Sequence, residues 1–552
     1  MAQRQVSLRQ TIAKANQRMS LQLAAAMLAA STLISSFLGI YRDRLLNSHF
    51  LNVYPVSIDA YTVAFTIPDF MFFVLVSGAL SVTFIPVFNQ RLATGNKKSA
   101  WELSTSLMNF MALTTFVASI LIIIFADPLV SYVVGPGLSE SGHNLAVAMM
   151  RVIAVNPFLF AVATVIASMQ QAVGRFTFYT LAPMIYNIGI IIGVVFFTHG
   201  ITIFGWHVFD GGIMGVALGV VLGSIMQLIV SSIGLLGLGF DYRFKIFWRN
   251  RGFRKVLQLL PARSLDQSAD YLNSIVETNI ASHMAAGTVR AYQQALTLSN
   301  VPINLIGVAI SNAAFPKMTE RLSTGRPDLF KSELQTVLRV IIWLALPVAT
   351  VSYFTRGYLV NFIFNRSDNF SDVSELMAGL LGALVIAILF RSIYHIAARS
   401  FYAQQDTKTP LYISLFTIGL NIVLAIWFTQ GLGMGAYGLA WAQSSVAIVE
   451  VIILFTVLSL RVKGLFDRDF WAAVWRMLSA TGFMSPVCYI LVLILQLRSS
   501  DQSFFSTFPK FSIIVIISLG LYVWLSHLLK LHEAAPVVGR VRQILFSRIG
   551  AK

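Results

Sequence analysis

The sequence predicts an all-α polytopic membrane protein with about 14 transmembrane helices, built from two related lobes. Of its 552 residues, 57% are hydrophobic and only 11% are charged, whereas soluble domains keep about a quarter of their residues charged. Apolar runs recur at about 20 residues, the length of a helix that crosses a hydrocarbon core. Transmembrane strands would be about half as long and would alternate in polarity.

The two-lobe prediction comes from a repeat. Pro86 and Arg91 recur as Pro316 and Arg321 without a change in spacing. The same offset relates Ala79 to Ala309, Ser81 to Ser311, Leu92 to Leu322, Thr94 to Thr324 and Gly95 to Gly325. The offset is too long for a solenoid period and fits duplication of a whole lobe. Such duplication is typical of transporters with a central site.

The individual spans follow from run length and from helix breakers. Their predicted centres lie near Ser31, Phe72, Phe116, Val162, Ile188, Leu222, Asp270, Val308, Ala345, Ala387, Thr417, Ala447, Gly482 and Ile517. Within the sixth span, Gly215, Gly219 and Gly223 form a ridge of small residues that predicts close helix packing. An even number of spans puts both termini on one side of the membrane.

Lysine and arginine set the orientation, because they are retained on the cytoplasmic side. The N-terminal tail, the turn with Lys97 and Lys98, the segment 241–256 and the C-terminal tail are all basic and fall on one side. The alternate turn 127–143 contains no Lys or Arg. We therefore expect both termini to be cytoplasmic. The same distribution explains most of the net charge of +17 and argues against nucleic-acid binding, since the charges alternate with spans.

The seventh span is unusually polar. Its polar stripe consists of Arg263, Asp266, Gln267, Asp270, Asn273, Ser274 and Glu277. Steps of three and four residues put these side chains on one helix face. Charged groups within a bilayer usually face a polar cavity or a partner. The stripe predicts a helix that lines a water-filled pathway; the alternative is an internal salt-bridged stripe.

Charged residues also mark the end of the first span and the second span. Arg42, Asp43 and Arg44 fall where the chain leaves the bilayer on the outer side. One interpretation is a pair of interfacial arginines with a neutralising aspartate. The other is a site for an anionic headgroup, because guanidinium forks bind phosphate oxygens through two hydrogen bonds. Asp59 and Asp69 add further polarity in the second span.

No motif for enzymatic chemistry is present. The chain lacks a phosphate-binding GxxxxGK[ST] loop, a GxSxG elbow and an HExxH pair. Its single cysteine, Cys488, cannot form an internal disulfide, and no His or Cys spacing suggests a metal. We therefore expect no cofactor and no metal, and any transport work must come from a gradient.

Several segments resemble the MurJ (MviN) family of lipid II flippases. They are 37–43 (FLGIYRD), 59–70 (DAYTVAFTIPDF), 78–81 (GALS), 84–88 (FIPVF), 135–138 (GPGL), 174–176 (GRF), Ala182 with Pro183, and 401–410 (FYAQQDTKTP). The resemblance runs through all the predicted spans. It implies that Arg42, with Asp43 beside it, and Asp59 correspond to the family's first-helix arginine and second-helix aspartate.

The resemblance also implies two pseudo-symmetric six-helix lobes, as in the multidrug, oligosaccharidyl-lipid and polysaccharide exporter superfamily, plus two C-terminal helices. The expected division is a cytoplasmic tail at 1–20, an N-terminal lobe at 21–240, a basic cytoplasmic linker at 241–256, a C-terminal lobe at 257–465, helices thirteen and fourteen at 466–532 and a cytoplasmic tail at 533–552. The implied activity moves the undecaprenyl-diphosphate-linked peptidoglycan precursor across the bacterial cytoplasmic membrane. The expected partners are that precursor, membrane lipids and a coupling cation.

This chain departs from the family pattern at four positions. Phe72 and Phe73 stand where better-known members carry an arginine pair, Ser77 where they carry glutamate, and Thr297 where they carry arginine. Our hypothesis is that Arg44, Arg263 and Arg290 supply the cavity charge from neighbouring positions. The predicted binding residues are thus Arg42, Asp43, Arg44, Asp59, Arg263, Asp266, Asp270, Glu277 and Arg290.

Two alternatives remain. The substrate can be another polyprenyl-linked oligosaccharide, or the protein can be a cation-coupled drug exporter of the same superfamily. The two helices after Trp471 count against the exporter, because drug exporters typically stop at twelve spans. A membrane scaffold without transport would not need the polar stripe.

Overall fold

The computed structural model describes residues 21–51, 54–77, 84–203, 206–363, 372–498, 501, 504–535 and 539. By its internal contacts the chain divides into two compact units, Met1–Val289 and Arg290–Lys552.

The first unit is built from nine described helices. They are α1 (Leu21–Phe50), α2 (Pro55–Phe72), α3 (Ile85–Ala93), α4 (Lys97–Pro128), α5 (Glu140–Ile153), α6 (Asn156–Ala172), α7 (Thr177–Phe196), α8 (Ile213–Ile233) and α9 (Arg251–Ser282). Between α7 and α8, β1 (Ile201–Ile203) and β2 (Trp206–Phe209) pair as a short antiparallel hairpin.

The second unit begins near the start of α10. Its helices are α10 (Thr288–Pro302), α11 (Ala309–Ser323), α12 (Pro327–Phe354), α13 (Arg356–Ile363), α14 (Asp372–Ala403), α15 (Lys408–Ile426), α16 (Ala436–Arg461), α17 (Arg468–Ile494) and α18 (Phe504–Leu528). Buried side chains such as Trp343, Met477 and Tyr522 form one of its cores. Trp343 Nε1 donates to Ser526 Oγ at 3.1 Å, which ties α12 to α18. The two C-terminal helices therefore pack within this unit.

The predicted spans agree with the helices. Within the described residues, 12 helical segments are long and apolar enough to cross a membrane. The other two predicted spans coincide with α1 and α9, which have 30 and 32 residues. At 1.5 Å per residue each reaches about 45 Å, longer than the hydrocarbon core. Every predicted centre lies in a helical segment, so the polytopic helical fold is confirmed.

The repeated turns adopt the same geometry in both units. Gly95 and Gly325 end α3 and α11 with φ angles of +76° and +69°. The residue after each glycine donates its N–H to the carbonyl of Arg91 or of Arg321, at 3.0 Å in both copies. This is the Schellman cap, in which glycine accepts the left-handed conformation and the freed carbonyls are satisfied. The repeat in the sequence is therefore a repeat in local structure.

A π-helical segment also precedes each repeated turn. These segments are Phe73–Ser77 and Ile303–Val308. The first directly follows α2, which contains Pro68. Residues 78–83, between the first π-helical segment and α3, lie outside the described residues.

The predicted glycine ridge brings α7 and α8 into close contact. A Cβ on Gly193 would lie 2.5 Å from the Cα of Gly219, and a Cβ on Gly215 would lie 2.5 Å from the carbonyl carbon of Phe197. These distances exclude any side chain. The two helices therefore approach closely because glycine occupies the contact, and the packing prediction is confirmed.

Candidate functional site

Arg42 and Asp43 lie side by side near the C-terminal end of α1. Nε and Nη2 of Arg42 donate to Oδ1 of Asp43 at 3.1 and 2.9 Å. Nη1 donates to Oδ1 of Asn187 on α7 at 2.9 Å. The Arg42 side chain is 24% exposed and that of Asp43 is 10% exposed. A guanidinium carries five N–H donors in a fixed fork, and these contacts use three of them.

Asn187 holds the guanidinium in place. Its Nδ2 donates to Ser35 Oγ and to the Pro183 carbonyl, both at 3.2 Å, which leaves its Oδ1 facing Arg42. Sequence reasoning noted Pro183 but missed Asn187. The available signal was an amide one turn after a proline in an otherwise apolar span.

The surroundings of Arg42 are aromatic. Tyr61 and Tyr186 lie close enough to Arg42 to interact electrostatically with it. The Tyr186 ring contacts Phe160 at 5.1 Å between centroids, and Phe160 contacts Phe72 at 5.7 Å. Aromatic side chains beside a guanidinium limit its contact with water, which strengthens a charge-assisted hydrogen bond to it.

At the three positions where the resemblance implies arginines, this chain has two aromatic side chains and a hydroxyl. Phe72 belongs to the ring contacts just described, and Phe73 stacks on Tyr271 of α9 with 4.1 Å between centroids. Thr297, in the second unit, is exposed and donates its hydroxyl to the Gln293 carbonyl at 2.9 Å. None of these side chains can replace a missing positive charge.

Arg44 does not share the face of Arg42. Two residues along an α-helix turn the side chain by about 200°, so the two arginines point in different directions. The Arg44 side chain is half-buried.

Asp59 is buried and accepts a hydrogen bond from the turn after α9. Its side chain is 3% exposed, and its Oδ2 accepts a hydrogen bond from the Gly287 backbone N–H at 2.6 Å. The turn 135–138 contacts the same region, since Gly137 N–H donates to Ser282 Oγ at 3.1 Å. A Cβ on Gly137 would lie 2.5 Å from the His283 Cα. Within the first unit, Asp59 therefore contacts the turn after α9, and the turn 135–138 contacts the C-terminal end of α9.

The polar stripe of α9 is described only in part. The side chains of Arg263, Asp266 and Asp270 lie outside the described residues. Asn273 and Glu277 are 7% and 3% exposed, and Asn273 Nδ2 donates to Glu277 Oε1 at 3.0 Å. This end of the stripe is therefore buried and internally paired, as in the alternative interpretation, while Leu272 is 50% exposed.

Arg290 belongs to the second unit. Its side chain is 6% exposed. With the amide oxygen of Gln294 turned toward it, Arg290 donates to that oxygen through Nη2 and Nη1 at 2.8 and 3.1 Å.

The second unit contains a buried carboxylate that sequence reasoning missed. Glu450, in the middle of α16, is 4% exposed. Its Oε1 accepts hydrogen bonds from the hydroxyls of Ser414 and Thr417 on α15, both at 3.2 Å. The signal was an acidic residue inside an apolar span, a feature that usually marks an ion or substrate pathway.

No group of three or more His, Cys, Asp or Glu side chains that could hold a metal occurs within the described residues. The guanidinium of Arg42, which Asp43 and Asn187 hold through three of its five donors, instead suits an anion.

Comparisons with known proteins identify the family of the chain. A family model described as "Lipid II flippase MurJ" matches residues 55–516. A Thermotoga maritima protein named "Probable lipid II flippase MurJ" is 25% identical over 513 residues, which cover 92% of this chain and 97% of the relative. A Buchnera aphidicola (Schizaphis graminum) protein of the same name is 26% identical over 519 residues, covering 90% and 95%.

Solved structures share the fold. A lipid II flippase MurJ in an inward closed conformation aligns with a TM-score of 0.71 and 22% identity, covering 91% of this chain and 98% of that one. An inward-facing multidrug resistance transporter of the MATE family aligns with a TM-score of 0.65 and 15% identity, covering 80% and 98%. Since the family model spans most of the sequence, the chain belongs to the lipid II flippase MurJ family.

Proposed function

We propose that this protein moves lipid II, the undecaprenyl-diphosphate-linked peptidoglycan precursor, from the inner to the outer leaflet of the bacterial cytoplasmic membrane by alternating access. The observation that carries the proposal is the family match over residues 55–516. The repeated lobes and the multi-pass helices support it, because both are typical of transporters that rock around a central site.

Within this function, Arg42 binds a diphosphate oxygen through its guanidinium fork. Asp43 and Asn187 position the fork by occupying its other donors. The half-buried location supports this role, since a phosphate contact is stronger away from bulk water. Arg44, Arg263, Asp266, Asp270, Glu277 and Arg290 remain predicted binding residues.

The distribution of Lys and Arg supports cytoplasmic termini. A gradient drives the cycle in this proposal, and Glu450 is our candidate for the group that responds to a coupling cation. A buried carboxylate held by two hydroxyls supports this role.

The test is depletion of the protein in its native host, followed by measurement of which lipid-linked precursor accumulates in the inner leaflet. We expect lipid II to accumulate and plasmid-borne wild type to clear it. Arg42→Ala should fail to clear it, whereas Arg151→Ala, at an exposed arginine of α5, should succeed. Accumulation of a different polyprenyl-linked oligosaccharide with normal lipid II turnover would assign the protein to that substrate instead.

A further inference from the structure

A basic cavity of about 780 Å³ lies beside the start of α4 in the first unit. Five cationic side chains line it, namely Arg91, Lys98, Lys245, Arg249 and Arg251, against the single carboxylate of Glu102. None of the five forms an ion pair within the part of the chain that the structure describes. The cavity therefore carries a formal excess of four positive charges.

One wall of the cavity is the linker between α8 and α9, which is fixed to α4. Asn109 Nδ2 donates to the carbonyls of Arg243 and Lys245 at 2.9 and 3.1 Å. The Phe247 N–H donates to Ser106 Oγ at 2.8 Å. The cations of the linker thus project from a backbone that is held in place, so the cavity is formed before any ligand arrives.

An apolar groove of about 850 Å³ adjoins the basic cavity. Leu113, Phe116, Phe158 and Val162 are among its lining residues, and Lys245 lines both the groove and the cavity. The groove follows α4 from Met108 to Phe116, about 12 Å at 1.5 Å per residue. A charged cavity and an apolar groove therefore share a wall.

Exposed aromatic side chains of the linker indicate where the membrane surface lies. Phe244 is 93% exposed, Trp248 is 53% exposed and Tyr242 is 48% exposed. Aromatic side chains next to Lys and Arg are typical of the boundary between headgroups and acyl chains. The basic cavity then lies at headgroup level and the groove at acyl-chain level.

We propose that this surface binds one anionic glycerophospholipid, with its phosphate in the basic cavity and an acyl chain in the apolar groove. The positive charge selects an anionic headgroup over a zwitterionic one. The groove requires an attached chain and so selects against free phosphate. Its short length along α4 fits an acyl chain better than the far longer polyprenyl tail. The site is separate from Arg42 and does not depend on the proposed transport function.

The test is native mass spectrometry of the purified full-length protein titrated with phosphatidylglycerol or with phosphatidylcholine of the same chains. We expect phosphatidylglycerol to bind preferentially. The triple variant Lys98→Gln, Arg249→Gln, Arg251→Gln should bind phosphatidylglycerol at least about ten-fold more weakly. The matched variant Lys408→Gln, Lys463→Gln, Arg468→Gln removes the same charge from exposed positions of the second unit and should bind like wild type.

Two further measurements test whether the effect comes from the positive charge and whether the ligand is a lipid. The charge-preserving variant Lys98→Arg, Arg249→Lys, Arg251→Lys should keep the preference, which separates lost charge from misfolding. Inorganic phosphate at equal concentration should not displace the lipid. Equal binding of the two lipids, equal loss in the two charge-removal variants, or displacement by phosphate alone would each overturn the proposal. Displacement by lipid II at lower concentrations than phosphatidylglycerol would also overturn it, because the substrate itself would then be the occupant.

Discussion

The carboxylate of Asp59 on α2 accepts a hydrogen bond from the backbone N–H of Gly287, with 2.6 Å between the two atoms. The residues are 228 positions apart. Gly287 has a φ of +91°, which favours glycine. A carboxylate predicted to bind substrate therefore also fixes the turn after α9.

We expect Asp59→Ala to lower the free energy of unfolding by about 1–3 kcal/mol, because the variant leaves a buried N–H without its acceptor. Asp59→Asn keeps an acceptor oxygen and should retain most of the stability. Thermal or denaturant unfolding in detergent measures the stability of both variants. An Asp59→Ala protein that is as stable as wild type but inactive would show that Asp59 acts in substrate binding and does not stabilise the turn.

Gly287→Ala should destabilise by about 1–2 kcal/mol, since its backbone conformation disfavours a Cβ. The control is Gly419→Ala in α15, where a Cβ would meet nothing within 4 Å. That variant should be neutral or slightly stabilising, because alanine favours helix. Equal effects of the two variants on the unfolding midpoint would contradict this account.

Arg42→Lys should impair lipid II flipping nearly as much as Arg42→Ala. One ammonium cannot reproduce the planar fork that contacts Asp43 and Asn187 and still reach a phosphate. Flipping of labelled lipid II in proteoliposomes measures the effect, with Arg151→Lys as the control. Full activity of the lysine variant would show that flipping does not require the guanidinium fork of Arg42.

Gly193→Ala should destabilise the first unit by about 1–3 kcal/mol, because its Cβ would lie 2.5 Å from Gly219 Cα and force α7 and α8 apart. Gly482→Ala in α17 has open space around the new Cβ and serves as the control. The unfolding midpoints of both variants provide the comparison. A Gly193→Ala protein as stable as the control would show that the helices can separate without cost.

Asp406, in the turn between α14 and α15 and outside the membrane spans, forms a tether whose strength depends on pH. The tether consists of its hydrogen bonds to Thr409 and Arg461. Its Oδ2 accepts hydrogen bonds from Thr409 Oγ1 at 2.6 Å and from Arg461 Nη1 at 2.7 Å. Burial alone raises the pKa of Asp406, but these contacts outweigh it and lower the pKa to about 2. The folded state therefore favours the carboxylate. The stabilisation is present above pH about 4, the ordinary pKa of aspartate, and is lost as the pH falls toward 2.

Asp406→Asn should accordingly be less stable than wild type at pH 7 and at pH 5, and the difference should shrink below pH 4. Unfolding midpoints across this range test it. A difference that stays constant down to pH 2 would mean that the tether does not depend on the charge of Asp406.

Glu450→Gln should keep the fold, because an amide oxygen can still accept from Ser414 and Thr417. It should nevertheless slow gradient-driven flipping, since the amide cannot bind or release a cation. The measurement compares flipping in proteoliposomes with and without an imposed proton or sodium gradient. An unchanged response to both gradients would exclude Glu450 from coupling.

The sequence by itself determined the spans, the repeated turns and the glycine ridge. Each depends on local properties: the length of an apolar run, the positive φ that glycine accepts in Gly95 and Gly325, or the absence of a side chain at Gly219. It also identified Arg42 and Asp43, because charge within an apolar helix is visible without knowing its neighbours.

Only the tertiary structure decided which residues form hydrogen bonds with Arg42 and Asp59. Asn187 lies 145 positions from Arg42, and Gly287 is still farther along the chain from Asp59. Helical periodicity predicts the face on which a side chain lies, but a hydrogen bond requires two atoms within about 3 Å. Which atoms meet depends on how the helices pack against one another. That packing buried Glu277 and placed Glu450 beside Ser414, which lies 36 positions away on another helix.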